Sequence, residues 1–166
     1  MGITKIIAIL IGVLVTIIGL AFLGSYANSV FSGTKVAQAS SELSTVIDNV
    51  QGLYASQPDF SGLTNTVAIQ GGVYPSNMAT QTSSQATDPW GGTVSVESPS
   101  GTPTEFTVEF DNIPQDSCTK IGLSYMSSNL VSLTINGNAV SPITPAAMTV
   151  ACAGTSAPIS MIWTLN

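Results

Sequence analysis

An uncharged apolar run near the N-terminus constrains this chain more than any other feature. It extends from Ile6 to Leu23, and no charged residue occurs between Lys5 and Lys35. Its length is close to the about 20 residues that a helix needs to cross a bilayer, and it exceeds the about 7–15 apolar residues of a cleaved secretory signal. The run therefore predicts a helix kept in an apolar environment, either the bilayer, where it would be a simple membrane anchor, or another environment that excludes water.

The segment that follows predicts more helix, with one apolar face. Its apolar side chains recur at helical spacing, at Val36, Ala39, Leu43, Val46, Ile47, Val50, Leu53 and Tyr54. The polar face carries Gln38, Ser41, Glu42, Ser44, Asp48 and Gln51. We expect one continuous helix over about residues 3–55, roughly 80 Å long at 1.5 Å per residue. Because a bilayer core is only about 30 Å thick, the second half must pack its apolar face on the rest of the chain.

The remainder of the chain predicts an α+β head. Four runs alternate between apolar and polar residues, as strands do: Thr93–Ser98, Glu105–Asp111, Leu130–Ile135 and Ile159–Leu165. Asn136-Gly137 indicates a turn, and short helices are expected at about 114–127 and after the capping pair Thr144-Pro145. The predicted fold class is α+β, a lollipop in which a long N-terminal helix packs on an antiparallel sheet head.

Composition excludes several classes of function. Charged residues make up 7% of the chain, the net charge is −6, and histidine and arginine are absent. Nucleic acid is therefore not an expected partner, since binding phosphates requires clustered Lys or Arg. Without histidine, a Ser-His-Asp or Cys-His arrangement cannot form, and no glycine-rich phosphate loop occurs. We therefore predict no enzyme activity and no cofactor.

Some polar and aromatic residues still need an interpretation. Glu105, Glu109 and Asp111 share one strand face, where carboxylates could bind calcium or transfer protons. A solvated strand face is the favoured interpretation, so neither a catalytic nor a metal site is predicted. Three aromatic residues could contact a partner, although packing within the protein is preferred: Phe60, Tyr74 and Trp90.

The two cysteines, Cys118 and Cys152, lie far behind the apolar run. Behind such a segment they indicate one disulfide formed in an oxidising compartment, and two buried free thiols are the alternative. The bond would stabilise the head by about 4 kcal/mol in the chain-entropy account.

Three stretches, taken in this order, resemble the type IVb pilins. GLYASQPDFSGLTNTVAIQGGVYPSNM at 52–78 is similar to the exit of the long helix and the loop after it. DPWGGTVSV at 88–96 resembles a turn into a strand, and SPITPAAMTVAC at 141–152 resembles the short helix that ends in the second cysteine. Together with the paired cysteines these motifs are spread over most of the chain. Similar sequences occur in bundle-forming pilins and in thin-pilus pilins of conjugative plasmids.

The resemblance implies the major subunit of a type IVb pilus, used in adhesion, aggregation or conjugative contact. Residues 1–26 would first anchor the subunit in the bacterial inner membrane and then pack in the core of an extracellular filament. Residues 27–55 would pack on a head formed by 56–166, with 118–152 as its disulfide-bounded region. The implied partners are copies of the same chain, prepilin peptidase, the pilus assembly machinery and a receptor on a host or recipient cell.

The resemblance also assigns roles near the N-terminus. Met1 is expected to be the first residue of the processed subunit and the site of methylation. The alternative is that Met1 is the methionine at which translation starts. The residues assigned to filament assembly are Lys5, Ile6, Ile9, Leu10, Val13, Leu14, Ile17, Gly19, Leu20 and Gly24. Lys5 replaces the family's usual glutamate, and we expect it to stay hydrated, reach a polar end or meet a lipid phosphate. Phe22 replaces a frequent proline, so the Gly19–Gly24 segment is expected either to unwind or to pack closely.

A second hypothesis comes from a different class of protein. A permanently membrane-anchored, monomeric binding module would have the same apolar run, and a minor pilin or secretion pseudopilin lies between the two interpretations. The presence of this polypeptide in filaments sheared from cells would separate them.

Overall fold

The structure is a computed structural model that describes residues 33–78, 85–155 and 157–166. Lys35–Asn166 form one compact unit. The helices are α1 (33–53), α2 (Asn65–Gln70), α3 (Gln115–Gly122) and α4 (Pro145–Ala153). The strands are β1 (Ala86–Thr87), β2 (Thr93–Glu97), β3 (Phe106–Ile113), β4 (Leu130–Ile135), β5 (Asn138–Ala139) and β6 (Ile159–Leu165).

The strands form one six-stranded sheet in the order β1-β2-β3-β6-β4-β5, and all neighbours are antiparallel. The C-terminal strand β6 therefore lies between β3 and β4, which precede it in the chain. Trp163, near its centre, pairs with Val108 on one side and with Leu133 on the other. Because β6 is paired along both edges, it joins the β1-β2-β3 part of the sheet to the β4-β5 part.

The core lies between the inner face of the sheet and helix α1. Side chains of β6 alternate strictly between buried and half-buried positions, as a strand with one core face requires. Trp163 and Phe110 meet edge to face with ring centroids 5.6 Å apart. From α1 the core receives five fully buried side chains: Ala39, Leu43, Val46, Ile47 and Val50. The apolar periodicity of residues 36–50 is thus explained by packing on the sheet.

One residue of α1 contradicts the predicted polar face. Glu42 is 4% exposed, although the helical pattern places it among the solvated residues. Its Oε1 atom accepts hydrogen bonds from the side-chain amides of Gln38 and Asn77. The carboxylate is therefore buried because a segment outside the helix covers it. A signal for this burial was present in the sequence, since Glu42 is three residues after Ala39 and four before Val46.

The other elements differ from the prediction mainly in length. The four expected strands are present, and the α+β fold class is confirmed. Helix α3 ends at Gly122 instead of continuing to Ser127, because the backbone N–H and the hydroxyl of Ser124 both donate to the carbonyl of Ile121. Helix α2 and the strands β1 and β5 were not predicted, since two to six residues carry too little periodicity.

The predictions for the N-terminal segment fall outside the described residues. This applies to Met1, to Lys5 and to every other residue assigned to filament assembly up to Gly24. Within the part of the chain that the structure describes, no helix is long and apolar enough to span a membrane. The division of the chain at residue 55 stays a prediction.

Candidate functional site

Of the residues with a predicted role, the described part of the chain contains Cys118 and Cys152. They form a disulfide with their Cα atoms 5.9 Å apart, so the alternative of two free thiols is wrong. Cys118 lies in α3 and Cys152 in α4, and both are buried. The bond closes the disulfide-bounded region, residues 118–152, which contains β4 and β5 between the two helices.

The two helices of this region also pack directly on each other. A side chain at Gly122 would place its Cβ 2.1 Å from Cε of Met148 in α4 and 3.5 Å from Cδ2 of Leu133 in β4. The side-chain amide of Gln115 donates to the carbonyl of Cys152 at 3.2 Å. Close packing and this hydrogen bond therefore support the covalent link, and the region is held as one unit with the sheet.

Caps and turns in this region follow from local sequence. The Thr144 hydroxyl accepts from the Ala147 N–H at 3.2 Å, and Pro145 begins α4, as the capping pair predicts. Asn136 and Gly137 have φ values of 46° and 79°, which suit the two central residues of a tight hairpin turn between β4 and β5.

The disulfide-bounded region exposes large apolar side chains. Val150 on α4 is 73% exposed, Met126 after α3 is 57% exposed, and Val131 on β4 is 49% exposed. Scattered exposed apolar residues are ordinary on a protein surface, but Val150 is the most exposed large apolar side chain among the described residues. The region therefore offers apolar contacts that its own fold does not use.

A second apolar surface lies where α1 ends. A groove of about 380 Å³, called here the α1–α2 groove, is lined by Leu53, Tyr54, Gln57, Pro58, Asp59, Ser61 and Val67. Leu53 and Val67 are 41% and 37% exposed. Phe60 fixes the loop beneath them, because its ring lies between those of Tyr54 and Phe106, with centroids 5.5 and 4.7 Å away. No sequence pattern indicated this groove, since its walls combine the end of α1, the loop after it and one residue of the unpredicted helix α2.

The Asp88-Pro-Trp-Gly-Gly stretch forms a turn into β2 in which Asp88 and Gly92 are buried and Gly91 is exposed. Asp88 Oδ1 accepts from the backbone N–H groups of Trp90 and Gly92 at 2.8 and 2.9 Å. Burial raises the pKa of Asp88, these backbone N–H groups lower it, and the charge of Asp111 raises it further. The motif therefore acts in shaping the turn, and its carboxylate faces protein and not solvent.

The remaining candidates have structural roles. Glu109 accepts a hydrogen bond from the Ser160 hydroxyl at 2.6 Å across the β3–β6 pair, on the half-buried outer face. Tyr74 is buried, its hydroxyl donates to Asn65, and burial raises the pKa of its phenol. Over the described ranges, no three His, Cys, Asp or Glu residues are placed to hold a metal ion.

Comparison with known proteins defines the class of this fold. The structure superposes on a type IV b pilin from Salmonella typhi with a TM-score of 0.58, at 20% identity, over 81% of this chain and 99% of that one. It superposes on TcpA, a type IV pilin from Vibrio cholerae El Tor biotype, with a TM-score of 0.58, at 12% identity, over 80% and 99%. A comparison of this sequence with curated proteins found no significant match. The fold is that of a type IV pilin.

The family follows from the sequence itself. Residues 34–166 match the protein family described as PilS N terminal. Because this match spans most of the chain, the protein belongs to that family, and the resemblance to type IVb pilins is confirmed at the level of family and fold.

Proposed function

We propose that this chain is the major structural subunit of a type IVb pilus and polymerises into an extracellular helical filament. The observation that carries the proposal is a pilin-fold head whose core includes the apolar face of α1, on a chain that also contains the apolar run Ile6–Leu23. Exposing that run to water would cost on the order of 30 kcal/mol, at about 1.5–3 kcal/mol for each large apolar side chain. The run therefore needs lipid before assembly and neighbouring helices afterwards.

Exchange between these two environments is physically reasonable. A helix satisfies its own backbone hydrogen bonds, so it leaves no polar group unpaired in either environment. Close packing against identical helices can replace packing against lipid tails, and small residues such as Gly19 and Gly24 favour close approach. In this proposal the subunit waits in the inner membrane, is processed by prepilin peptidase and then enters the filament.

The head has two separate apolar surfaces that suit a polymer. A head-to-tail contact joins two different surfaces of one subunit, and repetition of that contact without closure produces a helical fibre. The disulfide-bounded region exposes Val150, and the α1–α2 groove exposes Leu53 and Val67. We propose these two surfaces as contacts between neighbouring heads. Asp88 accepts from backbone N–H groups of its own turn and Glu109 accepts from the Ser160 hydroxyl, and these structural roles favour a structural subunit over an enzyme.

The test is assembly in living cells. The chain would be expressed with a type IVb assembly system, and sheared surface material would be imaged by electron microscopy and analysed by intact-mass spectrometry. We expect filaments composed of this polypeptide, and the intact mass reports processing and methylation of the N-terminus. Retention of the protein in the inner membrane, with none in the sheared fraction, would support the membrane-anchored binding module instead.

A surface variant tests the proposed contacts. Val150→Lys should reduce filament yield at least tenfold, because a charged side chain would be buried without a partner between subunits. Ser100→Lys, at an exposed position in the β2–β3 connection, is the matched control and should assemble normally. Equal yields from the two variants would exclude Val150 from the interface. Adhesion or conjugation would then be assigned by comparing cell aggregation and plasmid transfer with and without filaments.

A further inference from the structure

We propose that Glu42 is a proton-controlled latch that fastens helix α1 to the rest of the head. The proposal rests on the burial and hydrogen bonding of this carboxylate and does not depend on filament formation. Glu42 is 4% exposed, and its Oε1 atom joins Gln38, one turn earlier on α1, to Asn77, which belongs to the loop after α2. The residue therefore connects the helix to a segment that is distant in sequence.

The loop that holds Asn77 is itself tied to the sheet. The Met78 N–H donates to the carbonyl of Pro75 at 2.9 Å, and the Thr87 N–H of β1 donates to the carbonyl of Met78 at 2.9 Å. A second tie, from the Asn49 side chain to the Val73 carbonyl at 2.8 Å, joins α1 to the same loop without any charge. Of these two ties, the one that includes Glu42 contains a titratable group, so its contribution to stability depends on pH.

The carboxylate is poorly compensated when it is ionised. Its Oε2 atom is buried and has no hydrogen-bond partner among the described residues, and the same holds for Oδ2 of Asp88. Asp88 lies in the turn between β1 and β2, is 6% exposed, and repels Glu42 electrostatically. Asp111 on β3 acts in the same sense on Asp88. A buried charge with an unpaired oxygen and a like-charged neighbour destabilises the folded state.

Protonation of Glu42 removes this penalty without breaking the latch. Oε1 still accepts from Gln38 and Asn77, while a proton on Oε2 removes the buried charge and with it the repulsion from Asp88. Burial raises the pKa of Glu42 above its usual 4.5, the two amide hydrogen bonds lower it, and the charge of Asp88 raises it further. The net direction is upward, in agreement with the geometry.

The sign of the pH dependence follows from linkage. Because the folded protein holds the Glu42 proton more tightly than the unfolded chain does, stability rises as the pH falls through the folded pKa. The gain is complete below the unfolded value near 4.5 and is absent well above the folded value. Each unit by which folding raises the pKa corresponds to a tenfold change in the folding equilibrium constant.

Urea unfolding of the full chain in detergent micelles tests the latch. Unfolding would be followed by tryptophan fluorescence between pH 8 and pH 4 for the wild type, Glu42→Gln and Glu97→Gln. Glu42→Gln keeps the Oε1 acceptor and removes the charge, so its urea midpoint should be higher than wild type at pH 8 and should change less on acidification. Glu97→Gln removes an exposed carboxylate on β2 and should follow the wild type throughout. In Asp88→Asn the urea midpoint should rise at lower pH than it does in the wild type, because the like charge that raises the pKa of Glu42 is gone.

A direct measurement keeps the proposal testable if a variant does not fold. The ¹³C resonance of the Glu42 side-chain carboxyl, assigned through its backbone in the wild-type protein in micelles, should titrate above 4.5. Titration at or below that value, or a Glu42→Gln midpoint that follows the wild type at every pH, would overturn the proposal. Stabilisation of the wild type but not of Glu42→Gln by calcium chloride at pH 8 would also overturn it, because the site would then bind a cation instead of a proton.

Discussion

Gly92 occupies a place where no side chain fits, and its replacement by alanine gives the sharpest test of the described fold. An added Cβ would lie 1.8 Å from the carbonyl oxygen of Asp111 and 2.6 Å from its carbonyl carbon. A third clash, at 2.9 Å, involves Oδ2 of Asp88. Since the Asp111 atoms belong to the backbone of β3, no rotamer change can relieve the contact, and the Cβ–oxygen distance must grow to at least 3.0 Å.

The expected loss combines overpacking with broken hydrogen bonds. Overpacking costs about 1–3 kcal/mol where the backbone has to shift. The same shift breaks two hydrogen bonds of the turn, from the Gly92 N–H to Asp88 Oδ1 and from the Asp88 N–H to the Gly92 carbonyl, which contribute about 1 kcal/mol each. We therefore expect Gly92→Ala to lower the free energy of unfolding by about 3–5 kcal/mol.

Gly91 provides the matched control. A Cβ there meets nothing within 4 Å, but its φ of 85° is strained for alanine, so Gly91→Ala should cost only about 1–2 kcal/mol. Both variants would be unfolded with urea in detergent micelles at one pH and followed by tryptophan fluorescence. If Gly92→Ala is within 0.5 kcal/mol of wild type, or if Gly91→Ala is the more damaging change, the close approach of the turn to β3 is wrong.

Three further predictions concern other parts of the head. Replacing Cys118 and Cys152 together by alanine should cost about 4 kcal/mol, and a reducing agent should bring the wild type to the same urea midpoint while leaving the double variant unchanged. Thr144→Ala removes the oxygen that accepts from the Ala147 N–H and should cost about 1 kcal/mol, which Thr144→Ser should largely restore. Trp163→Ala removes a large buried side chain and should lower the free energy of unfolding, measured by circular dichroism, by about 3–5 kcal/mol. A loss of less than about 1 kcal/mol would mean that Trp163 lies outside the core.

Elements with a strong local signal were predictable from the sequence. The alternation in Ile159–Leu165, the Thr144-Pro145 cap and the Asn136-Gly137 turn each arise from interactions within a few residues, and each is present in the structure. Periodicity also indicated which face of α1 enters the core. With only two cysteines in the chain, a single intramolecular disulfide had one possible pairing, and the structure confirms it.

Features that depend on distant segments could not be predicted in this way. No pattern within β6 shows that it lies between β3 and β4, because that order depends on pairing with strands that lie elsewhere along the chain. The α1–α2 groove likewise needs a helix end and a short later helix to meet.

Glu42 combines a position that local sequence predicts with an environment that only distant segments create. The sequence alone establishes an apolar N-terminal run, an amphipathic helix, strands with alternating apolar and polar residues, and a cysteine pair, since these depend on spacing along the chain. Only the tertiary structure brings Asn77 and Asp88 to the carboxylate of Glu42 and converts a residue of the polar face into a buried titratable group. The physical reason is that the ionisation of a carboxylate depends on the atoms around it, and for Glu42 those atoms include groups of Asn77 and Asp88, more than thirty positions away along the chain.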